Sequence, residues 1–470
     1  MIDLKNLTIE KAHQAFTTGE FTCRELAEEY LKVIKEKNTE LYAYIEVFDD
    51  VLAQADEAQK RFVDKTATIL TGVPFGFKDN ILIKGRVASA GSKILENYIA
   101  TYDSTVIKDL KAQGAVFMGR TNMDEFAMGS STQTSYYGPS RNPKDPSRVP
   151  GGSSGGSAVA VAGEMSLVSL GTDTCGSVRE PASFCGLVGL KPTYGSLSRH
   201  GIIAMGNSLD QAAPFSKTVR DSEIIFNALS RYDKEDSTSV PDALRVPKKS
   251  SSKKIGVPWH LFKEGVDGVV IENFKQSIEK LKNSGHEIVE IELPFSKYSL
   301  EVYYVIMPAE VSTNLSRFDG IRYGLSKEAD NLLDVYKKSR GAGFGEEARR
   351  RILLGTYVLS HGYYDAYYNK AIKLREKIRQ EICKAFEDVD LIATPTTPFT
   401  AFKLGEKMDD PVAMYLCDIF SAPANLSGVP SIAVPSGETA EGLPLSIQFM
   451  APHFSEGSLF DIGKKIESLR

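Results

Sequence analysis

Gly151-Gly152-Ser153-Ser154-Gly155-Gly156-Ser157, running directly into Ala158-Val159-Ala160-Val161-Ala162, decides how this chain reads. Four Gly and three Ser in seven residues suit a flexible linker in composition. A linker does not run straight into a small, apolar, helix-like segment, so the stretch reads as a structured loop. Its backbone N–H groups, gathered where a helix starts, suit an anion or a developing oxyanion. Three chemistries use such a loop. A nucleotide P-loop needs Gly-Lys-Ser/Thr at the helix entry, and Gly156-Ser157-Ala158 does not supply it. Gly152-Ser153-Ser154-Gly155-Gly156 satisfies a GxSxG pattern, but that device needs an acid and a histidine downstream. His361 and His453 are available, and nothing around either marks it for the role. The third chemistry is a serine nucleophile served by a lysine base.

Two further segments favour the third. Gly171-Thr172-Asp173-Thr174-Cys175-Gly176-Ser177-Val178-Arg179 places Ser177 after a tight turn of small residues, whose N–H groups can point at a carbonyl oxygen. Lys78, in Gly76-Phe77-Lys78-Asp79-Asn80, ends an apolar strand-like run. Desolvation there disfavours the ammonium, and a neutral amine can take a proton from a serine.

Working outward, the chain has 470 residues, 42% of them hydrophobic, with 56 Lys+Arg against 61 Asp+Glu and a formal net charge of −5. That length permits two or three domains or one large one. The mildly acidic balance argues against a protein that grips nucleic acid by charge alone. The six histidines show no HxxxH spacing and the five cysteines no CxxC, so metal is disfavoured and free thiols in a reducing compartment are expected. Met1-Ile2-Asp3-Leu4-Lys5 lacks the pattern of a signal peptide. Ala158 to Gly171, the smoothest apolar stretch, carries Glu164 and is too short to span a bilayer.

The first sixty residues read as helices. Thr22 and Glu25 form a capping box, and Leu26, Tyr30, Leu31 and Ile34 recur on one face. Val73–Phe77, Ala115–Met118 and Leu187–Leu190 read as strands alternating with helices, the pattern of an α/β protein. Asp233 to Lys254, with Lys248, Lys249, Lys253 and Lys254, reads as a solvated surface loop. A long helix is predicted from about Gly362 to Asp388, with Ile378, Ile382 and Phe386 on one face; a buried strand, Leu391-Ile392-Ala393, follows. No internal repeat is seen.

Lys78, Ser153 and Ser177, with their loops, resemble the amidase signature family, whose triad joins two serines in Gly/Ser-rich loops to a strand-end lysine. The separation of the two serines, 24 positions, fits that pattern. So do Gly129-Ser130-Ser131-Thr132, Arg141-Asn142-Pro143, Pro181 to Gly186 and Gly189 to Gly195. The resemblance implies a single domain over 1–470 with a large mixed central β-sheet covered by helices on both faces. Its signature core lies at about 71–220, with pocket and C-terminal elements at about 300–470. Asn314 to Gly320, Arg350 to Tyr357 and Gly362 to Tyr368 further resemble one branch, the A subunits of glutamyl-tRNA(Gln)/aspartyl-tRNA(Asn) amidotransferases.

That branch implies glutamine as substrate, with Arg351 on its α-carboxylate and Asp418 on its α-amino group; Tyr303 and Ser130 join the pocket. It implies that Lys78 takes a proton from Ser153, Ser153 from Ser177, and that Ser177 attacks the side-chain amide. The N–H groups of Thr174, Cys175 and Gly176 would hold the oxyanion, and a cis peptide would precede Ser153. It also implies partner subunits B and C, of which one amidates misacylated tRNA with ATP and Mg. No cofactor in this chain, no membrane association and a cytoplasmic location are expected. Three residues depart from the family pattern: Cys175 where Gly is usual, Glu180 where Gln is usual, and Gln133 where Glu is usual. The rival readings are a stand-alone amidase for small carboxamides and a non-catalytic assembly protein.

Overall fold

A computed structural model describes residues 2–248, 253–262 and 265–470 of the chain. Its strands are β1 (Tyr44–Val47), β2 (Pro74–Lys78), β3 (Val116–Thr121), β4 (Val168–Asp173), β5 (Val188–Lys191), β6 (Gln211–Ser216), β7 (Lys254–Val257), β8 (Glu287–Glu290), β9 (Leu391–Pro395), β10 (Ser431–Glu438) and β11 (Pro444–Met450). They build one 11-stranded sheet in the order β1-β3-β2-β4-β6-β5-β10-β11-β9-β7-β8. β2 is parallel to β3 and β4, and β7 is parallel to β8 and β9. From β4 through β6, β5, β10 and β11 to β9 every pairing is antiparallel. Every residue of β2, β4, β6, β9 and β11 is buried, so the mixed sheet is covered on both faces, as expected.

Local signals explain several elements. Thr22 and Glu25 exchange the two hydrogen bonds of a capping box, and Leu26, Tyr30 and Ile34 bury the stripe they form on helix Cys23–Leu41. The run predicted as a strand at Val73–Phe77 is shifted by one, so Lys78 is the last residue of β2. The helix predicted from Gly362 begins only at Asn369, because Gly362 is left-handed (φ 86°) and Tyr364–Tyr368 form a π-helical turn. Ile378, Ile382 and Phe386 are buried on it as the spacing required.

The surface-loop reading of Asp233–Lys254 is corrected at both ends. Asp233 is buried and accepts hydrogen bonds from Thr105 Oγ1 and Ser198 Oγ, both at 2.6 Å, while Lys254 opens β7. Lys248 and Lys253 are exposed, and Lys249 lies outside the described residues. The five cysteines are unpaired thiols. Among the described residues no helix is long and apolar enough to cross a membrane.

A buried polar network ties distant strands together. Arg179, wholly buried at the start of helix Arg179–Cys185, donates from Nε to Asp173 Oδ2 and from Nη2 to Asp173 Oδ1, both at 3.1 Å. Its Nη1 donates to Gln448 Oε1 on β11 at 2.8 Å. Gln448 in turn donates to Thr394 Oγ1 on β9 at 2.8 Å. Burial alone would raise the Asp173 carboxyl, but the Arg179 guanidinium outweighs it and holds the group well below the usual carboxylate range. Removing one partner of such a pair leaves an uncompensated buried charge. Arg179→Ala is therefore expected to lower stability by about 3–5 kcal/mol, read as a shift in the urea midpoint. A midpoint within error of the parent would show that the network does not hold the sheet.

Candidate active site

Lys78 closes β2 and turns its side chain into the loop that precedes helix Gly155–Ala162. Its Nζ lies 2.8 Å from Ser153 Oγ, 2.7 Å from Ser154 Oγ and 2.9 Å from Thr172 Oγ1. No carboxylate is among its hydrogen-bond partners in the described residues. Lys78 is fully buried, and desolvation pulls its pKa down to about 7 against the pull of the Asp124, Asp210 and Asp173 charges.

The proton inventory around this amine gives it a direction. Ser154 Oγ donates its own hydrogen to the Thr172 carbonyl at 3.1 Å, so toward Lys78 it can only accept. Thr172 Oγ1 likewise accepts, from Lys78 and from Asn80 Nδ2 at 3.1 Å. A neutral amine has two N–H groups, which Ser154 and Thr172 consume. Its lone pair is then left for the hydroxyl of Ser153. Ser154, Thr172 and Asn80 were not singled out from the sequence; a hydroxyl's committed hydrogen is visible only once β2 and β4 lie side by side.

The Ser153 loop is held from outside. The Gly152–Ser153 peptide is cis. The Ser153 carbonyl accepts from Asp124 N–H at 3.1 Å, and Ser154 N–H donates to the Ser177 carbonyl at 3.3 Å. Asp124, buried, accepts from the N–H groups of Thr132 (2.8 Å), Thr134 (3.2 Å) and Ser131 (3.3 Å). A Cβ at position 152 would lie 2.1 Å from Asp124 Oδ2 and 2.5 Å from Ser131 N, so only glycine lets the loops approach.

Ser177 lies at the end of the turn that follows β4, with 6% of its surface exposed and its hydroxyl in no hydrogen bond among the described residues. The turn's donors differ from expectation at one residue. Gly176 N–H donates to Asp173 Oδ1 at 2.9 Å, which takes it out of the set available to an oxyanion. The N–H groups of Thr174, Cys175 and Ser177 have no acceptor among the described residues. Thr174 is anchored through its hydroxyl to Asp210 at 2.7 Å, and the Cys175 carbonyl accepts from Ser421 Oγ at 3.1 Å. The left-handed residue is Gly176 (φ 92°), where a Cβ would strike Ser421 Oγ at 2.4 Å. Cys175 itself has no positive φ, so the departure there carries no backbone strain.

Arg351 and Asp418 are brought together by a residue that adjoins the predicted Tyr303. Tyr304 OH donates to Asp418 Oδ2 at 2.8 Å, and the Arg351 guanidinium lies 5.5 Å from the Tyr304 ring and 5.4 Å from that of Tyr415. Those two rings stack at 3.9 Å. Tyr303 is buried and packs edge-on against Tyr304 instead. Arg351 Nε donates to Glu347 Oε1 at 2.7 Å, while Nη2 has no acceptor among the described residues. Desolvation raises the Asp418 carboxyl to about 7, with Tyr304 and Arg351 opposing. A cavity of about 170 Å³ is lined by Arg351, Glu347, Tyr415, Met414 and Ser131. Ser130 is buried with its backbone against Gly152, and Ser131 is the one that reaches the cavity wall.

Glu180 is fully buried, and neither of its oxygens has a hydrogen-bond partner among the described residues. Desolvation, then the Asp418 and Asp124 charges, push its carboxyl well above the usual range. As a neutral acid it is a near isostere of the glutamine usual at that place. His453 Nε2 faces the Ser427 carbonyl at 3.1 Å, and the hydroxyl of Ser153 is in contact with Lys78, so no histidine serves it. Gln133 links its own loop to a distant one, donating to Ser131 Oγ at 3.0 Å and accepting from Gly405 N–H at 2.7 Å.

Comparison with known proteins identifies the family of the chain. The family model described as Amidase matches residues 25–460. The A subunit of the glutamyl-tRNA(Gln) amidotransferase of Koribacter versatilis is 49% identical, over 99% of this chain and 99% of that protein. The crystal structure of the corresponding A subunit from Thermotoga maritima superposes with a TM-score of 0.81 at 39% identity, covering 100% of this chain and 96% of that one. The native peptide amidase of Stenotrophomonas maltophilia does so with a TM-score of 0.82 at 27% identity, covering 99% and 97%. With its model matched over nearly the whole length and relatives this similar end to end, the chain belongs to the amidase family.

Proposed function

We propose that this chain is the glutaminase subunit of a tRNA-dependent amidotransferase. The observation that carries the chemistry is the dry amine of Lys78, 2.8 Å from Ser153 Oγ. Neutral Lys78 accepts the Ser153 proton while Ser153 accepts that of Ser177, and Ser177 Oγ attacks the side-chain amide carbon of glutamine. The N–H groups left open in the turn, those of Thr174, Cys175 and Ser177, face the oxyanion. Ser153 then returns a proton to the departing ammonia, and water hydrolyses the glutamyl ester through the same relay. Arg351 Nη2 binds the α-carboxylate and Asp418, as an anion, the α-ammonium.

The ammonia passes to a partner subunit that amidates Glu-tRNA(Gln), Asp-tRNA(Asn) or both with ATP and magnesium. Subunits B and C, tRNA contact through the partner and a cytoplasmic setting belong to the same proposal. What supports it is that relatives matching this chain from end to end are A subunits of glutamyl-tRNA(Gln) amidotransferases. A buried guanidinium and carboxylate joined through Tyr304 suit a substrate bearing both charges, which an amidase for simple carboxamides does not need.

Ser177→Ala is expected to reduce ammonia release from glutamine by at least about a thousandfold with an unchanged unfolding midpoint; near-parental release would refute the nucleophile. Because Lys78 works only as a neutral amine, kcat at saturating glutamine should rise as the pH passes about 7 and level off above it. A flat kcat from about pH 6 to about pH 8 would remove the lysine base. Asp418→Asn should raise the glutamine KM by about tenfold or more, and leave unaffected an amide lacking the α-amino group. Equal effects on both amides would reject its assignment.

A further inference from the structure

Glu125, 3% exposed, forms part of the wall of the cavity that holds Arg351, and the relay described above does not use it. It opens a short turn in which Phe126 (φ 49°) and Ala127 (φ 62°) are both left-handed, so the backbone there is held against its preference. Both carboxylate oxygens accept from Gly345 N–H, at 3.1 and 2.9 Å, and Oε1 also accepts from Ser92 Oγ at 2.5 Å. Gly345 is the N-cap of helix Glu346–Val358, which carries Glu347 and Arg351. That helix has no cap of its own. Glycine offers no side chain, and the third helical residue is Ala348, where a capping box would place Glu or Gln. Glu125 performs that task from 220 residues away, and burial pushes its carboxyl up to about 7 against the Ser92 and Gly345 hydrogen bonds, so the cap rests on its acceptor oxygens. The fit is close: a Cβ at Gly345 would lie 2.4 Å from Glu125 Oε2.

The same residue is tied to the nucleophile side. Glu125 N–H donates to Thr134 Oγ1 at 3.1 Å, Thr134 Oγ1 donates to Asp124 Oδ1 at 2.9 Å, and Asp124 N–H donates to the Ser153 carbonyl at 3.1 Å. We propose that Glu125 is a positioning residue for substrate recognition, holding the helix that bears Arg351 at a fixed separation from the loop that bears Ser153. Loss of its contact lets the α-carboxylate anchor drift while the serine relay stays assembled. This rests on the assignment of Arg351 to the α-carboxylate.

The test uses the full chain with whatever subunits co-purify with it, and compares glutamine with its decarboxylated analogue, followed as substrate or as competitive inhibitor. Glu125→Gln and Gly345→Ala, which disturb the same contact from opposite sides, should each raise the glutamine KM about tenfold, with kcat changed less than about twofold. Affinity for the decarboxylated analogue should not change. The double variant should be no worse than either single one, because both remove one interaction. Where Glu125→Gln does not fold, Gly345→Ala carries the test. Arg351→Ala is the reference. If it weakens glutamine selectively and the two variants do not, the inference falls and the reading of the pocket stands. If Arg351→Ala does not separate the two amides, that reading falls first. A loss of kcat on both amides would place Glu125 in support of the nucleophile loop and overturn the proposal.

Discussion

The site depends on a lysine amine kept out of water and given only hydroxyl and carbonyl oxygens to touch. A carboxylate within reach would pair with Lys78 and keep it cationic; Asp124, Asp173 and Asp210 influence it only through space. Each of those acids is saturated by other donors. Asp124 takes three backbone N–H groups, Asp173 the Arg179 guanidinium, and Asp210 the Thr174 hydroxyl with the N–H groups of Met205 and Gly206. For Asp173, the network that braces the sheet is therefore also what keeps its negative charge occupied near the amine. Structure and chemistry here share that acid.

Sequence alone made the chemistry-bearing residues legible because they lie in compositionally extreme stretches. The Gly/Ser loop, the turn before Ser177 and the strand-end lysine each stand out, and their spacing tied them to one family. What the chain did not disclose is how equivalent hydroxyls divide the work. Ser153 and Ser154 adjoin in one motif, yet one faces the lone pair and the other accepts an N–H, a distinction set by the Thr172 carbonyl on β4. Gly176 was similarly indistinguishable from Thr174 and Cys175 as a donor until Asp173 folded back onto it.

The pocket was less legible for a different reason. Tyr303 and Tyr304 are successive residues of helix Ser299–Asn314, turned about 100° apart, and neither is exposed enough for an amphipathic pattern to separate them. Only the tertiary approach of Asp418 chooses Tyr304. The tyrosine-rich Gly362–Tyr368 run misled the helix boundary because tyrosine is compatible with both an α-helix and the π turn that forms there. Asp233 looked solvated because the donors that satisfy it, Thr105 and Ser198, are remote in the chain.

The buried amine also gives folding a proton-releasing component. In the unfolded chain Lys78 holds its proton up to about pH 10.4, whereas in the fold it gives it up above about 7. Between those limits the unfolded state binds more protons, so this residue opposes folding increasingly as the pH falls, until about 7, below which the penalty is constant. At mildly alkaline pH folding thus expels close to one proton from Lys78, and that residue's share of the apparent heat varies with the ionisation enthalpy of the buffer. The enzyme's readiness to act as a base is set down when the chain folds, before any substrate arrives.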